Sequence, residues 1–407
     1  MKKILLISTI TASILSAAAY KLPEQSIAGT AMSAANIASC DGADCAYYNS
    51  ANISFLDDDS QYIEGGLTFV HLPKVTFTGK NYLSGTWVNA TAKTKTENIG
   101  IPYFHYVSKA YGPFRYALSV TVPGGLSKRW DSPIQKLYAQ EFTLKTVQLN
   151  PSVSYRVNKN FAISIGADIV YSEGKVYSDG NDAGVAVKRE MEGDSIDYGY
   201  NLAASLHLDN GINIAATYRS KIKLSEKGKA NLYLGGVGKK YDAYVDIYLP
   251  AAFSLAVSKE FNDLTVELVY ESTFWSSYKK LDFNYNPAIT SAMLSSVYDT
   301  PIDKNWKDTN SFRIGLKYKY SDKLTLMAGY SYDQTPIKEQ YVSYELPDSN
   351  AHIFSAGFKY KQSKNLTWGV AALYDYKTDR KVKNSKIDGE FTDGNAILIT
   401  AGIEYKF

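Results

Sequence analysis

Four histidines, His71, His105, His207 and His352, and two cysteines, Cys40 and Cys45, are the side chains of this 407-residue chain best suited to acid–base, nucleophilic or metal chemistry. A hydrolase needs a nucleophile, a base and an orienting group within reach of one another. The histidines fall in different stretches of the chain and no Gly-x-Ser-x-Gly turn accompanies them, so each reads as structural or interfacial and no enzyme is expected. The thiols bracket the string Cys40-Asp-Gly-Ala-Asp-Cys45. A metal would need more ligands than two thiols and the carboxylates of Asp41 and Asp44. A small disulfide loop is the favoured reading, which an oxidising periplasm permits. With no nucleotide-binding motif in the chain, no cofactor is expected.

The remaining side chains on offer are cations and apolar groups, which could meet a carboxylate or an apolar ligand. A carboxylate headgroup favours a cation or a donor cluster, and the candidates are Lys304 and Lys307 flanking Trp306, then Arg219, then Lys175 with Tyr177. Ordinary solvated charge is the competing reading for each. Ile289, Met293, Leu294 and Val297 recur at helical spacing after Pro287, a residue suited to a helix start. That stripe either receives a hydrophobic ligand or packs on a rim.

These residues need a scaffold, and period-two alternation supplies it. The last strand places Ile397, Ile399, Ala401, Ile403, Tyr405 and Phe407 on one face and Leu398, Thr400, Gly402, Glu404 and Lys406 on the other. One face suits lipid and the other tolerates water, as a transmembrane barrel strand requires. At the opposite end Lys2 and Lys3, an apolar stretch from Ile4 to Leu15 and small residues through Ala19 form an export signal. The mean hydropathy of −0.24 is too polar for a helical membrane protein. A barrel hides such a chain in lipid because each strand spends half its residues on the lumen. The 34 tyrosines suit its interfacial belts. The formal charge of +3, or +1 without Lys2 and Lys3, offers no field for nucleic acid.

Alternation predicts about fourteen antiparallel strands, over 62–77, 99–109, 113–123, 140–157, 161–173, 194–208, 211–225, 243–259, 263–284, 307–320, 323–336, 350–361, 366–377 and 394–407. Short turns alternate with long connections over 78–98, 124–139, 174–193, 226–242, 285–306, 337–349 and 378–393, the asymmetry of an outer-membrane barrel with its long loops outside the cell. Residues 20–60 fit no strand pattern. The lumen of so large a barrel is wider than wall side chains can fill, so this small, polar segment reads as a plug, or hatch, or else as a periplasmic tail. The division is then signal peptide 1–19, hatch 20–60 and all-β transmembrane barrel 61–407.

The chain resembles the FadL family, outer-membrane transporters of long-chain fatty acids and related hydrophobic compounds. The order Leu22-Pro-Glu-Gln-Ser26, then Gly29, Ala31, Ser33, Ala34 and Ala35, then Ala46-Tyr-Tyr-Asn-Ser-Ala51 is similar to the family's hatch, with Asn49-Ser50-Ala51 where Asn-Pro-Ala is usual. Asn150-Pro-Ser152, Thr217-Tyr-Arg-Ser220, Leu249-Pro-Ala251, Asn305-Trp-Lys-Asp-Thr309, Tyr332-Asp-Gln-Thr-Pro336 and Leu346-Pro-Asp348 follow in a similar order. The resemblance implies outer loops that capture ligand, an apolar pocket beside the hatch, and lateral exit where the third strand kinks inward. Here that strand ends at Pro123-Gly124-Gly125, residues that interrupt ladder pairing. Leu22 and Ile27, with the hatch residues Asn49, Ser50 and Ala51, are candidate ligand contacts. Expected partners are a fatty acid or hydrophobic small molecule, outer-membrane lipids including lipopolysaccharide, and the barrel assembly machinery. A monoaromatic hydrocarbon channel and a general diffusion porin are the alternatives.

Overall fold

A computed structural model of the chain describes residues 19–407; the predicted export signal lies outside the described residues except for Ala19. Fourteen antiparallel strands close into a barrel. They are β1 Tyr62–Leu72, β2 Glu97–Val107, β3 Phe114–Thr121, β4 Glu141–Arg156, β5 Phe161–Asp179, β6 Val187–His207 and β7 Ile212–Arg219. The wall continues as β8 Ala251–Phe261, β9 Leu264–Phe274, β10 Thr309–Lys319, β11 Leu324–Asp333, β12 Ala351–Lys361, β13 Leu366–Lys377 and β14 Ala396–Lys406. Pairing of β1 with β14, from Tyr62↔Lys406 to His71↔Ile397, removes the sheet edge. The expected count and order of strands are those observed.

Alternation explains the wall. Ile163 and Ile165 on β5 and Ile399, Ile403 and Tyr405 on β14 face outward and are exposed, while Leu398 and Thr400 between them are buried. Tight turns such as Asn262-Asp263 link strands at one end, with Asn262 at φ 54°.

At the other end the long connections are more ordered than irregular loops. Ile222–Leu234 and Val237–Leu249 pair with each other and continue β7 and β8 outward, turning at Gly235-Gly236. Hairpins of Thr76–Leu83 with Thr86–Lys93, and of Arg380–Lys383 with Ile387–Thr392, join in a four-stranded sheet above the rim. The connection 124–139 holds a strand, Gly125–Lys128, and a helix, Pro133–Ala139. In 285–306 the helix spans Ala292–Tyr298 and starts at Ser291, whose hydroxyl accepts from the Leu294 N–H, rather than at Pro287.

The amino-terminal segment packs against the strands. Ser26 caps a short helix, Ile27–Ala31, and Cys45–Tyr48 and Asn52–Phe55 form two further turns. Its polar side chains bond to strands all round the wall: Thr30 to Thr400 on β14, Ser33 to Ser355 on β12, Ser50 to Ser164 on β5 and Ser54 to Ser154 on β4. The Glu267 carboxylate of β9 accepts from the N–H groups of Ile37, Ala38 and Ser39 at 2.6–2.9 Å. At Gly329 on β11 a Cβ would overlap the Met32 backbone, so glycine there admits the segment against the wall.

Candidate ligand-binding site

β3 is the irregular part of the wall. It pairs with β4 from Phe114↔Tyr155 to Thr121↔Gln148, and pairing resumes from Gly125↔Lys145 to Lys128↔Phe142. Between these, Val122, Pro123 and Gly124 face only Thr146 and Val147. On the other side β3 meets β2 over four residues alone, Phe104–Val107 against Ala117–Val120. Contact returns higher up, where the Lys95 N–H donates to the Arg129 carbonyl at 2.9 Å and Arg129 pairs with Glu97 at 2.8 Å. The upper half of β2 therefore has no ladder partner on the β3 side. The sequence places Pro123 and Gly124 in this break, and from Gly125 the chain re-enters the wall rather than starting a loop.

Backbone groups in such a break need partners where water is scarce. The amino-terminal segment supplies them. Leu22 N–H donates to Pro123 C=O at 3.0 Å, and Gly125 N–H donates to Tyr20 C=O at 2.8 Å. The Gln25 side-chain amide serves Val122 twice, donating to its carbonyl at 2.8 Å and accepting from its N–H at 3.0 Å. His105 on β2 holds Gln25 in turn, its ring bonding to the Gln25 carbonyl at 2.7 Å. A Cβ at Gly124 would lie 2.7 Å from the Tyr20 carbonyl oxygen and 3.1 Å from Leu249 Cδ2. Leu249 belongs to the extension of β8, so the break bends into the lumen.

Tyr20 also closes a cavity. Its ring stands 4.9 Å from Trp275 and 5.8 Å from Trp306, with Tyr278 4.9 Å from Trp306. Leu126, just past the break, with Phe142, Leu144, Ile247, Leu281 and Leu346, completes an apolar cup. Burial raises the Tyr20 hydroxyl well above its ordinary pKa, and that hydroxyl donates to the Tyr248 carbonyl. Among the described residues, the only charged groups in the lining are Lys304 and Glu345, which pair with each other. The free space is ≈ 20 Å³, room for about one water molecule.

The other sequence-predicted residues are distributed differently. Leu22 is buried beside the break, in one apolar cluster with Tyr20, Leu126 and Trp306. Ile27 packs with Met327 and Ala371 against the wall instead. Asn49 donates to Ile37 C=O and Ser205, Ser50 bonds to Ser164, and Ala51 donates to the Asn49 side chain, so this triplet seats the segment against the wall, apart from the cup lining. Arg219 donates to the Tyr47 carbonyl and stacks 4.3 Å over the Tyr47 ring, outside the cup lining. Lys175 and Tyr177 lie on the outward face of β5, both bonded to Glu192, away from the cup. Lys307 is exposed, Ile289 is half-buried, and Met293 is exposed on the rim helix with Leu294 buried beneath it. Cys40 and Cys45 are joined, with Cα atoms 5.5 Å apart.

Gln25, Tyr20 and Glu345 carry the arrangement without having been singled out by sequence. Aromatic clustering around Trp275, Tyr278 and Trp306 was the one available signal.

Three comparisons bear on this geometry. A family model described as "Outer membrane protein transport protein (OMPP1/FadL/TodX)" matches residues 8–407. A "Long-chain fatty acid transport protein" of Escherichia coli O6:H1 is 23% identical over 380 residues, 82% of each chain. Among solved structures, a Pseudomonas aeruginosa FadL homologue superposes with TM-score 0.83 at 19% identity, covering 95% of this chain and 99% of that one. The Ralstonia pickettii toluene transporter TbuX superposes with TM-score 0.70 at 18% identity, covering 95% and 98%.

Proposed function

The chain belongs to the OMPP1/FadL/TodX family of outer-membrane transport proteins, and from that premise we propose passive uptake of long-chain fatty acids or similar hydrophobic compounds through the cup and a β2–β3 window. The observation that carries the reading is Tyr20. One residue closes the cup with its ring and holds the wall break with its carbonyl.

The cup is too small for any acyl chain while Tyr20 stays in place. Ligand entry therefore requires displacing Tyr20, and displacement strips Gly125 of its acceptor. Binding and opening become one two-state event, biased by the ligand's preference for the open cup. Burial of an acyl chain yields roughly 0.8 kcal/mol per methylene, ample to drive it. With Tyr20 to Gln25 withdrawn, the window lies between β2 and β3, and the apolar ligand leaves sideways into lipid. The rim helix with exposed Met293 and Val297 offers the first contact for ligand arriving from outside.

The relative named a fatty acid transporter and the solved toluene transporter span two ligand classes. An aromatic-lined cup favours keeping a monoaromatic hydrocarbon as the second reading. A diffusion porin is disfavoured by the hydrogen bonds that tie Thr30, Ser33, Ser50 and Ser54 to strands round the wall, as a plug would be tied. No catalytic role is proposed, since His71, His105, His207 and His352 each hydrogen-bond structurally, to Asn98, Gln25, Asn52 and Tyr330. The outward apolar face would meet outer-membrane lipid, including lipopolysaccharide, and the strand ending in Phe407 would be read by the assembly machinery.

Oleate and toluene binding to purified, delipidated protein, wild type against a deletion of residues 20–51, tests the proposal. Saturable oleate binding by wild type that is retained or tightened in the deletion, which removes the Tyr20 ring from the cup, supports it. Toluene binding alone moves the ligand to aromatic hydrocarbons, and binding of neither overturns it.

A further inference from the structure

Lys304 and Glu345 are an unusual pair to find in an apolar cup. Their side chains are only 5% and 12% exposed. Burial opposes ionisation of Glu345, yet the adjacent Lys304 ammonium holds its carboxyl below the ordinary range. A buried ion pair costs desolvation that its attraction only partly offsets, so such a pair is weak as a stability device. The backbone around Lys304 is fixed: its N–H and that of Asn305 both donate to the Lys279 carbonyl, at 2.8 and 2.9 Å. Glu345 comes from a different loop and lies between Tyr344 and Leu346. Tyr344 is pinned, its carbonyl accepting from Trp130 Nε1–H at 2.9 Å and its hydroxyl from Asn81 at 2.6 Å. Both charges are thus delivered to the cup by segments with anchored backbones.

A carboxylate already sits on the one cation that lines the cup among the described residues. An ionised amphiphile entering the cup must either bring a second negative charge beside Glu345, which the low-dielectric setting penalises, or take its place on Lys304. An uncharged ligand meets neither obstacle.

We propose that Glu345 is an internal competitor for ligand headgroups: it sets the selectivity of the cup for uncharged over ionised hydrophobic compounds, and an ionised ligand binds by carboxylate exchange on Lys304. The proposal rests on the reading of the cup as the transport pocket.

The test uses the full-length protein in a non-competing amphiphile and three ligands, oleate, oleyl alcohol of the same chain length, and toluene. In Glu345→Gln the unpaired Lys304 should bind oleate roughly tenfold or more tighter than wild type, with oleyl alcohol and toluene unchanged. In Lys304→Met oleate should lose affinity relative to oleyl alcohol. Heat-modifiable electrophoretic mobility checks that each barrel is folded, and the Lys304→Met comparison decides the matter should Glu345→Gln fail to fold. Unchanged oleate affinity in Glu345→Gln, or parallel changes for oleate and oleyl alcohol in either variant, would overturn the assignment of Glu345 while leaving the pocket intact. Failure of all three ligands to bind wild type would overturn the pocket, and the inference with it.

Discussion

The backbone N–H of Leu22 donates to the carbonyl of Pro123 at 3.0 Å, so a residue of the amino-terminal segment completes the hydrogen bonding of a wall residue in the break of β3. Proline has no N–H to return, and the neighbouring register is held by Gly125 N–H on Tyr20 and by Gln25 on Val122. The segment and the wall are therefore coupled through main-chain groups, and perturbing one must be felt in the other.

Gln25→Leu removes two hydrogen bonds to Val122 and leaves a buried N–H and C=O without partners. Each unsatisfied group costs about 1–3 kcal/mol, so hydrogen exchange at residues 122–125 should accelerate well beyond that at β12 or β13. Unchanged protection at 122–125 would show that Gln25 does not complete the wall.

Tyr20→Ala enlarges the cup and removes its aromatic closure. Hydrophobic ligands should associate faster and more tightly, measured by quenching of Trp275 and Trp306 fluorescence. Slower or weaker association would mean that Tyr20 forms the binding surface rather than blocking it.

Glu24 lies in the segment, and burial first of all raises its carboxyl to about 8, with Asp333 adding and Arg313 opposing. A group whose folded value is raised contributes stability that is fully present below its unfolded value near 4.5 and lost as pH rises through about 8. Seating of residues 20–31 should therefore weaken progressively between about pH 4.5 and about pH 8 and level off above it. Exchange rates of these amides, corrected for intrinsic pH dependence, should rise over that window in wild type and stay flat in Glu24→Gln.

Arg219→Ala should loosen the turn at Cys45–Tyr48, since it removes a donor to the Tyr47 carbonyl and a cation–π contact on the order of 1–2 kcal/mol. Faster exchange at residues 45–49 with oleate affinity retained is expected. Selective loss of oleate binding without loosening would restore Arg219 as a headgroup residue.

The barrel was legible because lipid on one side and a packed lumen on the other force strict alternation. The run from Phe161 to Tyr171 shows it cleanly, and β5 simply extends it to Asp179. The same parity carries the reason Lys175 and Tyr177 miss the cup: they continue the odd-numbered face of Ile163 and Ile165, which looks outward. The outer hairpins at 76–93 and 380–392 carry no strand signal in most of their length because they stand clear of the membrane and need no lipid-facing stripe. The pairing of Lys304 with Glu345, 41 residues apart and joined through two outer loops, left no local trace. Nor did Gln25, whose amide imitates a strand.

Locking the segment to the break tests the coupling most directly. Leu22 and Pro123 oppose each other beside the Lys21↔Gly124 bridge, a spacing of about 5.5 Å between Cα atoms that a disulfide can span. In the Leu22→Cys, Pro123→Cys variant, cells bearing the bridged protein should bind labelled oleate at the surface yet take up almost none, with uptake restored by a reductant that leaves wild-type uptake unchanged. Undiminished uptake by fully bridged protein would contradict the account, because ligand would then be passing a wall that cannot open.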